Sequence, residues 1–336
     1  MKNNIIIENY QSLLSLKETE IAIKLVKDTF ENLLAIKLNL TRVSAPIFVD
    51  PKTGLNDNLN GYEKAVGFNV FENNHHLEVV QSLAKWKRNA LKKYGFATDS
   101  GIYTDMNAIR PYEDLDNLHS LYVDQWDWER VISNEERNEH FLIRIVKDIY
   151  EVLKDTERKA HITYPVLGKC TLPEDITFVT SEELEKKYPS LTAKERENIE
   201  AKKHGAIFLM HIGGKLNNGQ PHDGRAADYD DWSLNGDILL WYEPLGIAYE
   251  ISSMGIRVNK ESLLKQLKEK NEEFKLDLPY HQDIINNNLP LTIGGGIGQS
   301  RMCMFMLKKV HIGEVQASYW SKEDIELFAK NNIHLL

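Results

Sequence analysis

Cysteine is almost missing from this chain: the 336 residues contain two, Cys170 and Cys303. In sequence they form no CxxC and no ligand-like cluster with histidine, which excludes a disulfide scaffold and points to a reducing compartment. Long apolar runs are missing too. No stretch approaches the ~20 residues of a membrane span, and the opening MKNNIIIENYQ has one apolar triplet, too short for the apolar core of a signal peptide. Positive charge is in deficit, with 41 Lys and Arg against 50 Asp and Glu and a net charge of −9. That argues against a surface built mainly for nucleic acid, whose footprint is basic, though a local basic patch stays compatible. The expectation is a cytoplasmic protein with neither a nucleic-acid nor a membrane partner. No internal repeat and no low-complexity linker divides the chain. With 42% hydrophobic residues it can bury the core of one large or two ordinary domains, and one domain over 1–336 is the reading adopted.

The longest glycine cluster, TIGGGIGQSRMCMFML from Thr292 to Leu307, lacks both the P-loop GK[ST] and a strand–GxGxxG–helix context. Alone it reads as a flexible glycine-rich turn feeding a buried helix, with backbone free to approach something flat or phosphorylated. Arg301 falls in the first turn of that helix, where the macrodipole disfavours a cation. It therefore wants a carboxylate or an anionic or aromatic ligand as partner.

Upstream, residues 20–37 carry apolar positions at helical spacing, and residues 38–48 turn extended up to Pro46. Residues 50–62 form a polar loop, and 65–70 with 77–80 read as a short hairpin-like pair. Ser82 can cap a helix running to Tyr94, whose Lys85, Lys87 and Arg88 read, one by one, as a solvated face. Residues 101–109 and 119–131 look like antiparallel strands joined by an acidic loop. On the second, alternation puts Val123, Gln125, Asp127 and Glu129 on one face and Tyr122, Asp124, Trp126 and Trp128 on the other. The tryptophans suit a core. The Gln–Asp–Glu row then needs solvent or a polar ligand.

Residues 134–159 are an amphipathic helix. Residues 161–203 hold a short strand and two polar helical stretches, the second opened by the capping box Thr192–Glu195, and are assigned to the outside of the fold. Residues 206–212 read as a buried strand. The loop 213–232 is long and dense in Gly, Asp and His, which in a compact domain marks function or disorder. Residues 237–242 and 248–254 read as a hairpin with Glu250, Ser252 and Met254 on one face and Asp237 beside Ser252. Two carboxylates there repel unless a cation intervenes, as Mg²⁺ held by hard oxygens would; the alternative is a salt bridge to Arg257. A surface helix follows over residues 260–270. The elements amount to an α+β fold, a mostly antiparallel sheet flanked by helices.

VSAPI with its preceding helix, the strand–loop–strand carrying Arg110, and GGGIGQSR before an apolar helix resemble the three motifs of the class II aminoacyl-tRNA synthetase core. More closely, DNLNGYEKAV, VVQSLAKWKR, LHSLYVDQWDWERV, RAADYDDW, NGDILLW, EISSMGIRV, TIGGGIGQSR and HIGEVQAS resemble the ammonia-dependent asparagine synthetase A (aspartate–ammonia ligase) family. These stretches span residues ~40–320. Gln299-Ser300 before Arg301 also suits that family, where tRNA synthetases more often carry Asp-Arg. The expected chain lacks an anticodon-binding domain, and Lys2 stands where a glutamine-dependent synthetase has its catalytic cysteine, so free ammonia is the expected nitrogen donor.

The resemblance implies that L-aspartate, ATP and ammonia react through β-aspartyl-AMP, with ATP and Mg²⁺ as cofactors. By the same resemblance Arg110 binds the α-phosphate and the reacting carboxylate. Arg301 stacks on adenine over the backbone of Gly294, Gly295, Gly296 and Gly298. Asp237 and Glu250 hold the metal. Gln125, Asp127, Asp57 and Lys87 hold the amino acid, and Ser252 and Arg257 lie near its side chain. Asp230 or Asp231 handles the ammonium proton, and a homodimer forms through the first helix and strand. The competing readings are another amino-acid-adenylating ligase on the same core, such as a truncated paralogue of an aspartyl- or asparaginyl-tRNA synthetase, and a non-enzymatic regulator. Loss of Arg110, Glu250 or Arg301 would mark the last, and all three are present.

Overall fold

The computed structural model describes residues 4–57, 59 and 64–336. Part of the polar loop 50–62 and the middle of the DNLNGYEKAV stretch lie outside the described residues, as does Lys2.

In chain order the elements are α1 (Leu16–Leu38), β1 (Leu40–Arg42), β2 (Phe48–Val49), β3 (Gly67–Asn69), β4 (His76–Val79), α2 (Ala84–Tyr94), β5 (Gly101–Ile109) and β6 (Tyr122–Val131). There follow α3 (Glu139–Thr163), β7 (Thr177–Thr180), α4 (Ser181–Lys187), α5 (Ala193–His204), β8 (Ala206–Met210), β9 (Asp230–Tyr242) and β10 (Ile247–Arg257). The chain ends through α6 (Lys260–Lys270), α7 (Pro279–Ile285), β11 (Thr292–Gly298), α8 (Gln299–Met306) and α9 (Lys322–Lys330). An eight-stranded sheet has the order β1-β5-β6-β11-β10-β9-β8-β7; β2, β4 and β3 make a small separate one. Six central strands are antiparallel, and the two edge strands, β1 and β7, pair parallel with their neighbours. The α+β reading of the sequence is the observed architecture.

Alternation decides which face of the sheet is dry. Trp126 and Trp128 of β6 are fully buried and pack with Phe30 and Leu34 of α1 and with Ile145 and Ile149 of α3. Burying a large side chain of this kind contributes ~2–3 kcal/mol, enough to fix the register of β6, since a one-residue slip would put both rings on the polar face. α8 joins α1 and α3 on that side. On the other face α2 covers β5, β6 and β11, while α5 covers β8, β9 and β10. Between α2 and α5 no helix covers the sheet among the described residues.

Four local expectations change. Residues 38–48 split into β1 and β2, separated by a non-regular stretch around Pro46. The 161–203 segment is only partly peripheral, because Arg196, Glu197 and Glu200 of α5 are buried against the sheet. Lys85, Lys87 and Arg88 are not a solvated face: all three are buried. Lys85 donates to Asp228 (2.9 Å), Lys87 to Asp127 (2.5 Å) and Gly295 O (3.0 Å), and Arg88 to the carbonyls of Pro290 (2.9 Å) and Val258 (2.7 Å). Finally, Cys170 does meet histidine in space, its thiol lying within 4.8 Å of ligand atoms of Glu157 and His161.

Candidate active site

The glycine-rich stretch is a strand, not a turn. β11 runs between β6 and β10 with Gly294 opposite Glu129 and Gly255, Gly295 opposite Trp128 and Met254, and Gly296 opposite Asp127 and Ser253. Absent side chains are a packing requirement here. A Cβ on Gly294 would sit 2.1 Å from Glu129 Oε2, and one on Gly296 would sit 2.5 Å from Gln125 Oε1. The strand therefore lets side chains of β6 and β10 lie flat across its backbone, making a floor low enough for a cavity of about 480 Å³ above it. That volume suits a small-molecule ligand.

Most of the residues singled out in the sequence meet around this cavity. Asp57, Lys87, Arg110, Gln125, Asp127, Asp230, Glu250, Arg257, Gly295, Gly296, Gly298 and Arg301 all line it. Asp124 reaches it too, from the end of β6, where it accepts from Ser300 N (3.0 Å) and Oγ (2.8 Å) and so pins the start of α8. Arg301, one residue on, reaches back so that Nη1 donates to Glu250 O (3.1 Å) and lies 3.8 Å from Glu250 Oε2. A carboxylate thus offsets the unfavourable helix-start position of this cation.

The charge of the cavity wall is arranged in pairs. Arg257 is clamped by Glu129, whose oxygens accept from Nε (3.0 Å) and Nη2 (2.7 Å), and its Nη1 donates to Asp230. Glu129 takes a further hydrogen bond from Thr292 Oγ1 (2.7 Å). Burial pushes the Glu129 carboxyl up, but Arg257 and Lys87 more than reverse this and hold it below its ordinary value. Asp230 ends up on the opposite side: burial, helped by Glu129, raises its carboxyl despite Arg257. Burial likewise raises Asp57 and, with Glu250 beside it, Asp237, whereas Glu250 is held low by Arg301 and Arg225 against its own burial. Three buried polar atoms at the cavity, Arg110 Nε, Asp57 Oδ2 and Asp127 Oδ2, make no hydrogen bond among the described residues. Groups of this kind are normally satisfied, so they are the atoms a polar ligand would complete.

Four predicted residues are placed otherwise. Asp231 is turned from the cavity into an ion pair with Arg137 and a hydrogen bond from Ser233 Oγ (2.7 Å). Gly294 is roofed by the Glu129–Arg257 pair. Ser252 donates to Gly296 O (3.0 Å) and leaves the cavity lining to Ser253. The reason is a bulge between Glu250 and Ser252, which shifts the hairpin by one residue so that Asp237 faces Ser253. Asp237 itself sits just behind the lining, in an ion pair with Arg225. Sequence reading missed Arg225, Tyr229 and Ser253, all at the cavity. Arg225 and Tyr229 belong to the loop already marked by its length and charge, but nothing local distinguishes them from their neighbours.

For a divalent cation, Asp237 and Glu250 offer the right chemistry. Both are hard oxygen donors, and Asp237 Oδ1 is buried without a hydrogen-bond partner among the described residues. Among the described residues no helix is long and apolar enough to cross a membrane.

The profile of the family described as aspartate–ammonia ligase matches residues 17–332. The chain is 60% identical over 327 residues to the aspartate–ammonia ligase of Fusobacterium nucleatum, covering 97% of this chain and 99% of that one. It is 57% identical over 337 residues to that of Clostridium perfringens, covering both completely. In three dimensions it resembles the asparaginyl-tRNA synthetase of Pyrococcus horikoshii complexed with asparaginyl-adenylate, with a TM-score of 0.64 at 15% identity over 89% of this chain and 68% of that one. The asparaginyl-tRNA synthetase of Entamoeba histolytica gives 0.63 at 14% identity over 90% and 66%. At that identity the likeness speaks for the fold alone, a class II aminoacyl-tRNA synthetase fold.

Proposed function

The chain belongs to the aspartate–ammonia ligase family and makes L-asparagine from L-aspartate and ammonia; from that premise we propose how the cavity performs the reaction. A carboxylate does not react with ammonia at neutral pH, because its carbon is shielded by charge and has no leaving group. Adenylation removes both obstacles. A β-carboxylate oxygen of aspartate attacks the α-phosphorus of ATP, the bond to the β-phosphate breaks, and pyrophosphate departs. Ammonia then attacks the acyl carbon, loses a proton, and AMP leaves with the C–O bonding pair. Most of the catalytic effect in such a scheme is positioning and charge stabilisation.

Arg110 meets the α-phosphate and the reacting carboxylate, and its unpartnered Nε supports that role. Lys87, Asp127, Gln125 and Asp57 bind the charged ends of aspartate. Arg257, fixed by Glu129 and Asp230, offers its remaining guanidinium hydrogens to the substrate side chain. Arg301 covers adenine over the bare backbone of β11. Asp230, at the cavity and with a raised pKa, takes the ammonium proton. Asp237 and Glu250 would hold Mg²⁺, which supplies charge neutralisation to the nucleotide phosphates when bound. The observation that carries this reading is the set of unpartnered buried atoms of Arg110, Asp57 and Asp127 around one cavity in a chain of this family.

The test is product identity. AMP and asparagine should form together from aspartate, Mg-ATP and ammonium. ADP in place of AMP, or product only when glutamine is supplied, would sink the reading. We also infer a single catalytic domain and a cytoplasmic homodimer. Exposed Ile21 and Ile36 on α1, with Ile47 and Phe48 beyond β1, support a dimer face there, and solution mass would check it.

A further inference from the structure

Asp237, with Glu250 near it, already pairs with a cation that belongs to the chain. Arg225 lies on the loop that leads into β9. Its Nη2 pairs with Asp237 Oδ2, while Nη1 donates to Asp223 Oδ2 (2.9 Å) and to Gly224 O (3.1 Å). The Arg225 and Asp237 side chains are 13% and 8% exposed, whereas that of Asp223 is 62% exposed. Glu250 adds a further attraction for the same guanidinium, with Arg301, Lys194 and Glu197 as the other charges bearing on Glu250.

Asp237 is buried, and an uncompensated buried charge is strongly destabilising, so it needs a counter-charge in the absence of ligands. Arg225 provides one. A divalent ion on the other Asp237 oxygen, Oδ1, would sit against the guanidinium held on Oδ2, and repulsion between the two cations at that range favours departure of Arg225 when a metal binds. The arm is suited to leave. Two of its hydrogen bonds go to its own chain neighbours, and its loop carries Gly213 at φ +121° and Gly219 at φ +80°. The destination is at hand, since Arg225 lines the same cavity as Arg110 and Arg301.

We propose that Arg225 is a built-in counter-cation: it fills the Asp237–Glu250 seat until a divalent ion arrives with a nucleotide polyphosphate, whose negative charge then receives the displaced guanidinium. Arg225 is a positioning residue in this scheme. Its consequence is an order of binding, with the free divalent ion held weakly and the ion–nucleotide pair held well. The proposal rests on the metal role assigned to Asp237 and Glu250.

Mn²⁺ binding to the full chain, followed by the electron paramagnetic resonance signal of the free ion, separates the two ideas. Without nucleotide, Arg225→Gln should bind Mn²⁺ about tenfold more tightly than the wild type, because a competing positive charge at contact distance is gone. Arg225→Lys, which keeps the charge, should stay near wild type. Unchanged or weaker binding by a folded Arg225→Gln protein overturns the proposal. If that variant fails to fold, Asp223→Asn decides: loosening the arm should tighten Mn²⁺ binding by a smaller factor, and no change overturns the idea. If wild type with ATP binds no Mn²⁺, or Asp237→Asn leaves that binding unaltered, the metal role itself falls.

Discussion

At the scale of single residues, the glycines of β11 differ in what opposes a side chain, and they should differ in what a substitution does. A methyl group on Gly295 would meet Met254 Cβ at 2.6 Å and Ser253 O at 2.7 Å, within the packed sheet. On Gly296 the obstacle is the far end of Gln125, at 2.5 Å. Gly295→Ala is therefore expected to lower stability by ~1–3 kcal/mol, read from thermal or urea unfolding. Gly296→Ala should stay folded and raise the KM for aspartate about tenfold or more by moving Gln125. Similar melting losses in both variants would argue that the strand serves packing only. The adjacent acids Asp230 and Asp231 make a second contrast. Burial works to raise both, but Ser233 and Arg137 hold Asp231 below its ordinary value while Asp230 stays raised. If Asp230 accepts the ammonium proton, turnover at saturating substrates should fall as pH drops through its raised pKa. Asp230→Asn should abolish that limb and cost at least ~10²-fold in kcat. Asp231→Asn should keep the limb. An unchanged pH profile in Asp230→Asn would remove the residue from the proton step.

At the scale of elements, α2 is the part of the fold that runs furthest from its sequence. Alternation on β6 was readable because tryptophans and acids repeat with a period of two, which no other structure explains as well. Lys85, Lys87 and Arg88 looked like a wet helix face because their partners come from β6, from β11 and from the segments just before β9, just after β10 and just before β11. Those partners are remote in sequence, and no local pattern announces them. The bulge that exchanges Ser252 for Ser253 is invisible for a related reason, since alternation presumes an unbroken register. Asp228 shows what the buried cations contribute. It accepts from Lys85 (2.9 Å), lies 2.9 Å from His281 Nε2, and is 3.8 Å from Lys275 Nζ. Burial would raise its carboxyl, but Lys85, the hydrogen bond with His281 and Lys275 depress it far below the usual range. A depressed carboxylate contributes stability that is complete above its unfolded pKa, near 3.8, and is lost only as pH falls toward the lower folded value. Asp228→Asn should thus cost ~3–5 kcal/mol at neutral pH, with the deficit shrinking under acid conditions below the unfolded pKa. A pH-independent deficit in urea titrations would point to packing, not charge.

At the scale of the whole molecule, the sheet is two hairpin systems whose strands do not pair with each other directly. β5 with β6 forms one, and β8, β9 and β10 form the other. Only β11, supplied late in the chain, pairs with both. Each hairpin system closes through comparatively local contacts, whereas seating β11 pairs Gly294 with Glu129 and closes a loop of more than a hundred residues. Contacts of that span form slowly, and a strand with three successive glycines has little intrinsic preference for the extended state. The floor of the cavity is therefore expected to be the last part of the sheet to assemble during folding. Refolding followed by recovery of asparagine synthesis should lag behind the far-ultraviolet signal of the helices and hairpins.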